Sequence, residues 1–261
     1  MANMNALGRL VVLATVIGSA AAQPAIDPPE AEPQPTDGYT VRQIGAMREV
    51  MREGHTQARF ALDRLTDPGV VAVGALEGLA GEITVLDGKV WVTSFDGDTL
   101  STSGPAPDGE ASATLLALAR VPRWSVTERI AEDATISDLV AGQVAASGLD
   151  TAGPFPFVLV PEFTSLELHV IRGYCPAGST PEDADTVPWR WESERAKNVT
   201  IVGVYAPGQA GVMTHHGSDI HAHAILEIDG HRVTAHIDEA KLSGVVRVRL
   251  PDADESNAPG P

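Results

Sequence analysis

Two Asp-Gly dipeptides, each set between runs suited to β-strands, constrain this chain more than any other feature in it. Glu82-Ile83-Thr84-Val85-Leu86 leads into Asp87-Gly88 and out through Lys89-Val90-Trp91-Val92; His221 to Ile228 leads into Asp229-Gly230 and out from His231. Aspartate and glycine tolerate the left-handed backbone that a type I′ turn needs at both central positions, and that turn matches the twist of the strands it joins. The chain is therefore predicted to contain at least two tight antiparallel hairpins.

Further strands are expected at Val70 to Gly74, Phe155 to Arg172, Thr200 to Tyr205 and Val245 to Leu250, all rich in β-branched or aromatic residues. Val41 to Glu53 carries Ile44, Met47, Val50 and Met51 at helical spacing and stops at Gly54, which predicts a short amphipathic helix with a left-handed cap. Ala113 to Ala119 and Thr135 to Ala146 also read as helical. The Pro, Asp and Ser residues between Pro176 and Glu194 suggest an excursion over the surface. The expectation is an α+β fold of two β-rich halves, with mixed, half-barrel-like sheets and helical cover, over residues 41–150 and 151–251.

With 261 residues, 43% of them hydrophobic, the chain is long enough to bury a sizeable core. Its formal charge of -17 disfavours nucleic acid and anionic membrane surfaces as partners and leaves a small molecule as the expected one, with a homodimer allowed. Arg9 precedes the apolar run Leu10 to Ile17, and Ser19-Ala20-Ala21-Ala22 follows; residues 1–22 read as an export signal cleaved after Ala22. An exported protein, periplasmic or secreted, is expected, with no membrane association once the signal is removed. Residues 23–40, rich in proline and acidic groups, read as a linker, and residues 252–261 as a tail. Cys175 is the chain's one cysteine, so an intrachain disulfide is excluded.

Four of the eight histidines fall between His215 and His223. His221 and His223 lie two apart in a strand-like run, so their imidazoles share a face, a spacing suited to zinc, copper, iron or nickel. Counting outward from a turn that pairs Ile228 with His231 sets His223 opposite His236 and His221 opposite Asp238. His236 is thus the expected third metal ligand. His231 has the opposite parity and is the alternative if a bulge interrupts the hairpin. His215 and His216, ahead of Gly217, read as exposed loop residues.

At these residues the chain resembles the acetolactate decarboxylase family. Gly74-Ala75-Leu76-Glu77-Gly78-Leu79-Ala80-Gly81-Glu82 followed by Leu86-Asp87-Gly88 is similar to that family's G-x-x-x-x-L-D-G-E and second D-G, with Ala80 in place of the first aspartate. Thr200-Ile201-Val202-Gly203-Val204-Tyr205-Ala206-Pro207 resembles its T-I-V-G-F-x-T-P, and His221-Ala222-His223 its H-L-H; the likeness runs, with gaps, from about Val41 to Pro251. The resemblance implies a metal, usually zinc, on three histidines, which carry over to His221, His223 and His236. It implies conversion of acetolactate to acetoin and carbon dioxide, with Glu82 meeting the substrate and helping to deliver a proton.

Two departures stand against that activity. Phe163-Thr164-Ser165-Leu166-Glu167-Leu168-His169 resembles F-S-S-L-K-L-R, so His169 occupies the position where the family holds the substrate anion with arginine, and imidazole cannot make a bidentate grip on a carboxylate. Arg172, three residues on, faces the other side of a regular strand. The family's longer C-terminal tail brings a further glutamate to the metal, whereas here Glu255 is the nearest counterpart. Two functions follow as expectations: a metal-dependent carboxy-lyase with Glu82 and His169 as catalytic residues, or a non-catalytic exported metal-binding protein of the same fold.

Overall fold

The hairpins are where the turns require them. In the computed structural model, which describes residues 38–105, 109–147, 149, 153–173, 187–194 and 196–252, Asp87 and Gly88 have φ of 52° and 73°, and Asp229 and Gly230 have 52° and 80°. Export signal, linker, Cys175 and Glu255 lie outside the described residues, apart from the linker's last three residues.

The first sheet is built from β1 (Thr40–Ile44), β2 (Phe60–Ala61), β3 (Val70–Leu76), β4 (Gly81–Leu86), β5 (Lys89–Phe95), β6 (Leu100–Ser103) and β7 (Ser112–Arg120). Its order is β1-β7-β3-β4-β5-β6, with β2 also on β7. The second contains β8 (Trp124–Ala134), β9 (Phe155–Val170), β10 (Trp189–Ser193), β11 (Thr200–Tyr205), β12 (Ile220–Ile228) and β13 (His231–Pro251). Its order is β10-β9-β11-β12-β13-β8, and β9 also pairs with β13, which closes β9, β11, β12 and β13 into a ring. Closure is possible because β9 and β13 are long strands bent by bulges, with register shifts between Ile237 and Glu239 and twice more along β13.

Every ladder between these strands is antiparallel rather than mixed. The expectation of two β-rich parts holds, but helical cover is small: α1 (Met47–Arg52), α2 (Ile136–Ser147) and two 3-10 turns among the described residues. Sheet membership changes between Arg120 and Trp124, ahead of the expected boundary near residue 150, because β8 pairs along the second half of β13. Both sheets belong to one compact unit.

Three local expectations are corrected. Ala113 to Ala119 is not a helix but the interior of β7, which lies between β1 and β3 and is buried on both faces. A strand with two buried faces reads as a continuous apolar run and carries no alternation to reveal it. Val41 to Ile44 pairs with Ala119 to Leu116 as β1, and the predicted helix begins only at Met47. Trp189–Ser193, placed in a surface excursion, is β10. The helix expected at Thr135 to Ala146 is α2; the Thr135 hydroxyl accepts the Asp138 backbone N–H at 3.1 Å and donates to the Asp138 carboxylate at 2.7 Å.

The sheets pack face to face. Val71, Val73, Trp91, Ala117 and Ala119 of the first meet Val202, Val204 and Ile225 of the second in one buried cluster. On the ring's inner side, Ala222, Ala224, Val233 and Ala235 join Phe157, Leu159, Leu166 and Leu168, closed off by Leu139, Val140 and Val144 of α2. A test of this packing is Gly74, where an added Cβ would lie 2.0 Å from the Leu115 carbonyl oxygen and 2.9 Å from the Leu116 Cα. Both obstacles are backbone of the paired strand, so Gly74→Ala should destabilise the fold by about 1–3 kcal/mol or more, read as a lowered urea midpoint.

Candidate metal centre

Strand alternation sends Ala222 into the ring and turns His221 and His223 toward the first sheet. The register of the β12–β13 hairpin is the one counted from its turn: Ile228 opposes His231 and His223 opposes His236. Ring centroids of His221, His223 and His236 lie 5.1 to 5.4 Å apart, and one ring nitrogen from each lies within 4.8 Å of the others. All three residues are buried, whereas His231 is exposed at the start of β13.

Burial in this cluster keeps the imidazoles neutral. Desolvation is the largest cause for each: it lowers His223 to about 3 and puts His221 and His236 well below the ordinary histidine value, with neighbouring imidazoles adding repulsion. Neutral rings keep a lone pair for a metal at neutral pH without first giving up a proton. The Thr84 hydroxyl lies 3.2 Å from His223 Nδ1 and also bonds Thr234, whose backbone N–H donates to the Thr93 hydroxyl at 2.9 Å. These contacts fix the ring of His223 from the opposite sheet. His221 Nδ1 and His223 Nε2 are buried polar atoms with no hydrogen-bond partner among the described residues. Orphaned, neutral, convergent nitrogens are what a borderline-soft divalent ion requires, so the residues present fit one.

Glu82 reaches the same place from β4. Its Oε2 lies 3.5 Å from His223 Nε2 and its Oε1 4.0 Å from His169 Nε2, while the Ile171 backbone N–H donates to Oε1 at 3.3 Å. Desolvation raises its pKa to about 7 despite the lowering effects of His169 and Ile171, with Asp238 pushing the same way as burial. His169, on β9, directly opposes His236, their ring centroids 4.9 Å apart. Its Nδ1 lies 2.8 Å from Asp238 Oδ1, and Asp238 Oδ2 accepts from Arg190 Nη1 at 3.0 Å. Burial works to raise Asp238, but the hydrogen bond and charge of His169, with Arg190, outweigh it and hold the carboxyl below its ordinary value.

Sequence reasoning missed three residues of this site. His215, expected to be exposed, lies with its ring centroid 5.0 Å from that of His236, and desolvation lowers it to about 4; His216 is exposed as expected. A loop residue has no strand parity to reveal this. Asp238 had been set opposite His221, but it is the extra residue of the bulge between Ile237 and Glu239, which re-aims it toward His169. Arg190 was hidden in the supposed excursion, although the alternation Trp189-Arg190-Trp191 is a strand signal. Arg172 instead sits over the Phe95 ring, 5.9 Å from its centroid. His169, Arg190, His215, His236 and Asp238 line a cavity of about 240 Å³.

No protein-family model and no curated protein sequence matches the chain. Solved structures do. Alpha-acetolactate decarboxylase from Bacillus subtilis strain 168 superposes with a TM-score of 0.60 at 17% identity, over 80% of this chain and 85% of that one. Acetolactate decarboxylase from Bacillus subtilis subspecies spizizenii gives 0.61 at 15%, over 82% and 86%. The chain has the acetolactate decarboxylase fold. A Staphylococcus aureus protein of unknown function similar to alpha-acetolactate decarboxylase also shares it, with a TM-score of 0.57 at 14% identity over 80% and 85%.

The buried groups of this acetolactate decarboxylase fold should show in its pH-dependent stability. Histidines whose folded pKa lies below the unfolded value near 6.5 contribute stability above that value and lose it as pH falls toward the folded pKa. The metal-free protein should therefore weaken steadily from pH 6.5 to 4 in urea titrations. Glu82 has the opposite sign, since a carboxyl raised from 4.5 to about 7 costs stability as pH rises through that window. Relative to wild type, Glu82→Gln should gain up to about 3 kcal/mol between pH 4.5 and 8.

Proposed function

We propose that the protein is a metal-dependent carboxy-lyase converting 2-acetolactate, or a related 2-hydroxy-3-oxo acid, to acetoin and carbon dioxide. The observation that carries this reading is Glu82: a buried carboxyl set 3.5 Å from one of three convergent imidazoles. The fold it shares with two acetolactate decarboxylases supports the same reading.

Loss of carbon dioxide from a 2-hydroxy-3-oxo acid leaves an electron pair on carbon 2, delocalised onto the neighbouring oxygen, and product forms when that carbon takes a proton. A divalent ion, zinc in this proposal, held by His221, His223 and His236, supplies positive charge that stabilises the electrons left behind. Glu82 gives the proton. Burial raises this carboxyl to about 7 in the metal-free protein, where an ordinary one would already be ionised, and its place beside His223 sets it next to the substrate the ion would hold.

Each turnover consumes one proton, so Glu82 must be recharged. His169 bridges the distance: Nε2 faces Glu82 at 4.0 Å and Nδ1 bonds Asp238, whose side chain is 28% exposed. The proton enters at the Asp238 end and leaves at Glu82. Desolvation by the two sheets keeps both electrostatic effects strong. In this reading the protein acts after export, once the segment before Gln23 is removed.

One observation favours a different reading, a metal-binding protein without catalysis: β9 presents His169 where a substrate anion would be gripped by arginine in the family the sequence resembles. Zinc-loaded protein tested for acetoin from acetolactate separates the two. Wild type should form acetoin, Glu82→Gln should retain metal and lose about a hundred-fold or more in kcat, and His223→Ala should lose metal and activity together. Absence of acetoin from zinc-loaded wild type would sink the decarboxylase.

A further inference from the structure

The cavity above the histidines has an uneven charge distribution. Its lining brings the imidazoles of His169, His215 and His236 together with one carboxylate, Asp238, and one guanidinium, Arg190. Among the residues lining it, Arg190 is the one permanent cation. In a chain of formal charge -17, an anionic ligand is repelled at long range and needs a local positive group to stay.

Arg190 is held where such a group is useful. It directly opposes His169 across the β9–β10 ladder, so both side chains leave the same face of the sheet. Trp189 and Trp191 leave the other face and pack against the ring's apolar core, anchoring the edge strand on both sides of Arg190. Its Nη1 bonds Asp238 at 3.0 Å, and Asp238 is itself tied to the buried His169. A guanidinium offers five N–H donors in a planar fork, so one bond to Asp238 orients the group and leaves donors for a two-point grip on a carboxylate. The side chain is 56% exposed, open to an arriving ligand.

We propose that Arg190 is the anion-binding residue of this cavity, holding the carboxylate of a small 2-hydroxy acid from β10. This deepens the proposed function and rests on its site, with one consequence of its own: charge selectivity is set by a residue outside the three strands that carry His221, His223, His236 and Glu82. Asp238 is a positioning residue, serving Arg190 with one oxygen and His169 with the other.

Lactate and lactamide make the test, since they share a hydroxyl and a shape and differ in charge. Calorimetric titration into zinc-loaded protein should give tighter binding of lactate than of lactamide. Arg190→Met should weaken lactate at least ten-fold and leave lactamide within two-fold, with zinc content and circular dichroism unchanged; Arg190→Lys should fall between. Unchanged lactate binding in Arg190→Met overturns the assignment, as does wild type that binds lactate no better than lactamide. Equal loss of both ligands overturns it too, because Arg190 would then be a prop for Asp238. These titrations need no turnover, so Arg190-dependent lactate binding in protein that makes no acetoin would leave this inference standing and remove the decarboxylase. Conversely, acetoin production with a KM indifferent to Arg190→Met would remove only the inference.

Discussion

Because side chains alternate between faces, a one-residue slip of β12 against β13 would exchange His221 and His223 for Ala222 and Ala224 at the face between the sheets, burying two imidazoles in an apolar ring. The two-residue turn at Asp229-Gly230 prevents it. Both residues adopt the positive φ that the turn demands, and the strand parity that follows sets His223 opposite His236 while leaving His231 outside. The bulge two residues beyond His236 then breaks parity and turns Asp238 toward His169. One tight turn and one inserted residue thus arrange four of the site's groups, His221, His223, His236 and Asp238.

Burying those groups is costly, and the surroundings show how the cost is met. Thr84 and Thr93 bring hydroxyls from the first sheet to His223 and to the Thr234 backbone, so the polar centre is bonded across the layer boundary and not only along strands. Packing of Val71, Val73 and Trp91 on Val202, Val204 and Ile225 surrounds it with buried apolar area. His221 Nδ1 and His223 Nε2 remain unsatisfied among the described residues, at about 1–3 kcal/mol each for a buried polar group without a partner. A fold that retains such atoms, aimed at one point and kept neutral, stores binding energy for whatever supplies the missing partner.

How much of this was legible in the sequence depended on whether local chemistry or tertiary context decided each element. Turns with strict backbone demands were readable, and through them the pairing of His223 with His236. Strand β7 was not, since Ser112–Arg120 is covered on both faces and its Ala-Leu run satisfies helical patterning equally well. Ile44 lies in register with Leu116 in a ladder whose partner is far along the chain, so its helical spacing with Met47 and Val50 was coincidental. His215 is positioned by a loop stitched through Gln209 and Thr214 and docked on the start of α1, where Met47 and Arg48 donate to Val212 and Gly211. No periodicity encodes that. Arg190 was hidden by the Pro- and Asp-rich sequence before it, which masked a five-residue strand.

The pairing of Arg190 with His169 also bears on why an imidazole can stand on β9 at all. An arginine there would be charged at every accessible pH and could neither take nor give a proton. Directly opposed positions on antiparallel strands lie only about 5 Å apart, so a cation can move from one strand to the next without altering the backbone. If Arg190 holds the anion as proposed, position 169 is free for a group that carries protons, and His169 has the contacts for it, Asp238 on one nitrogen and Glu82 facing the other. The proposed anion site and the proposed proton path would then meet at Asp238, which bonds Arg190 with one oxygen and His169 with the other.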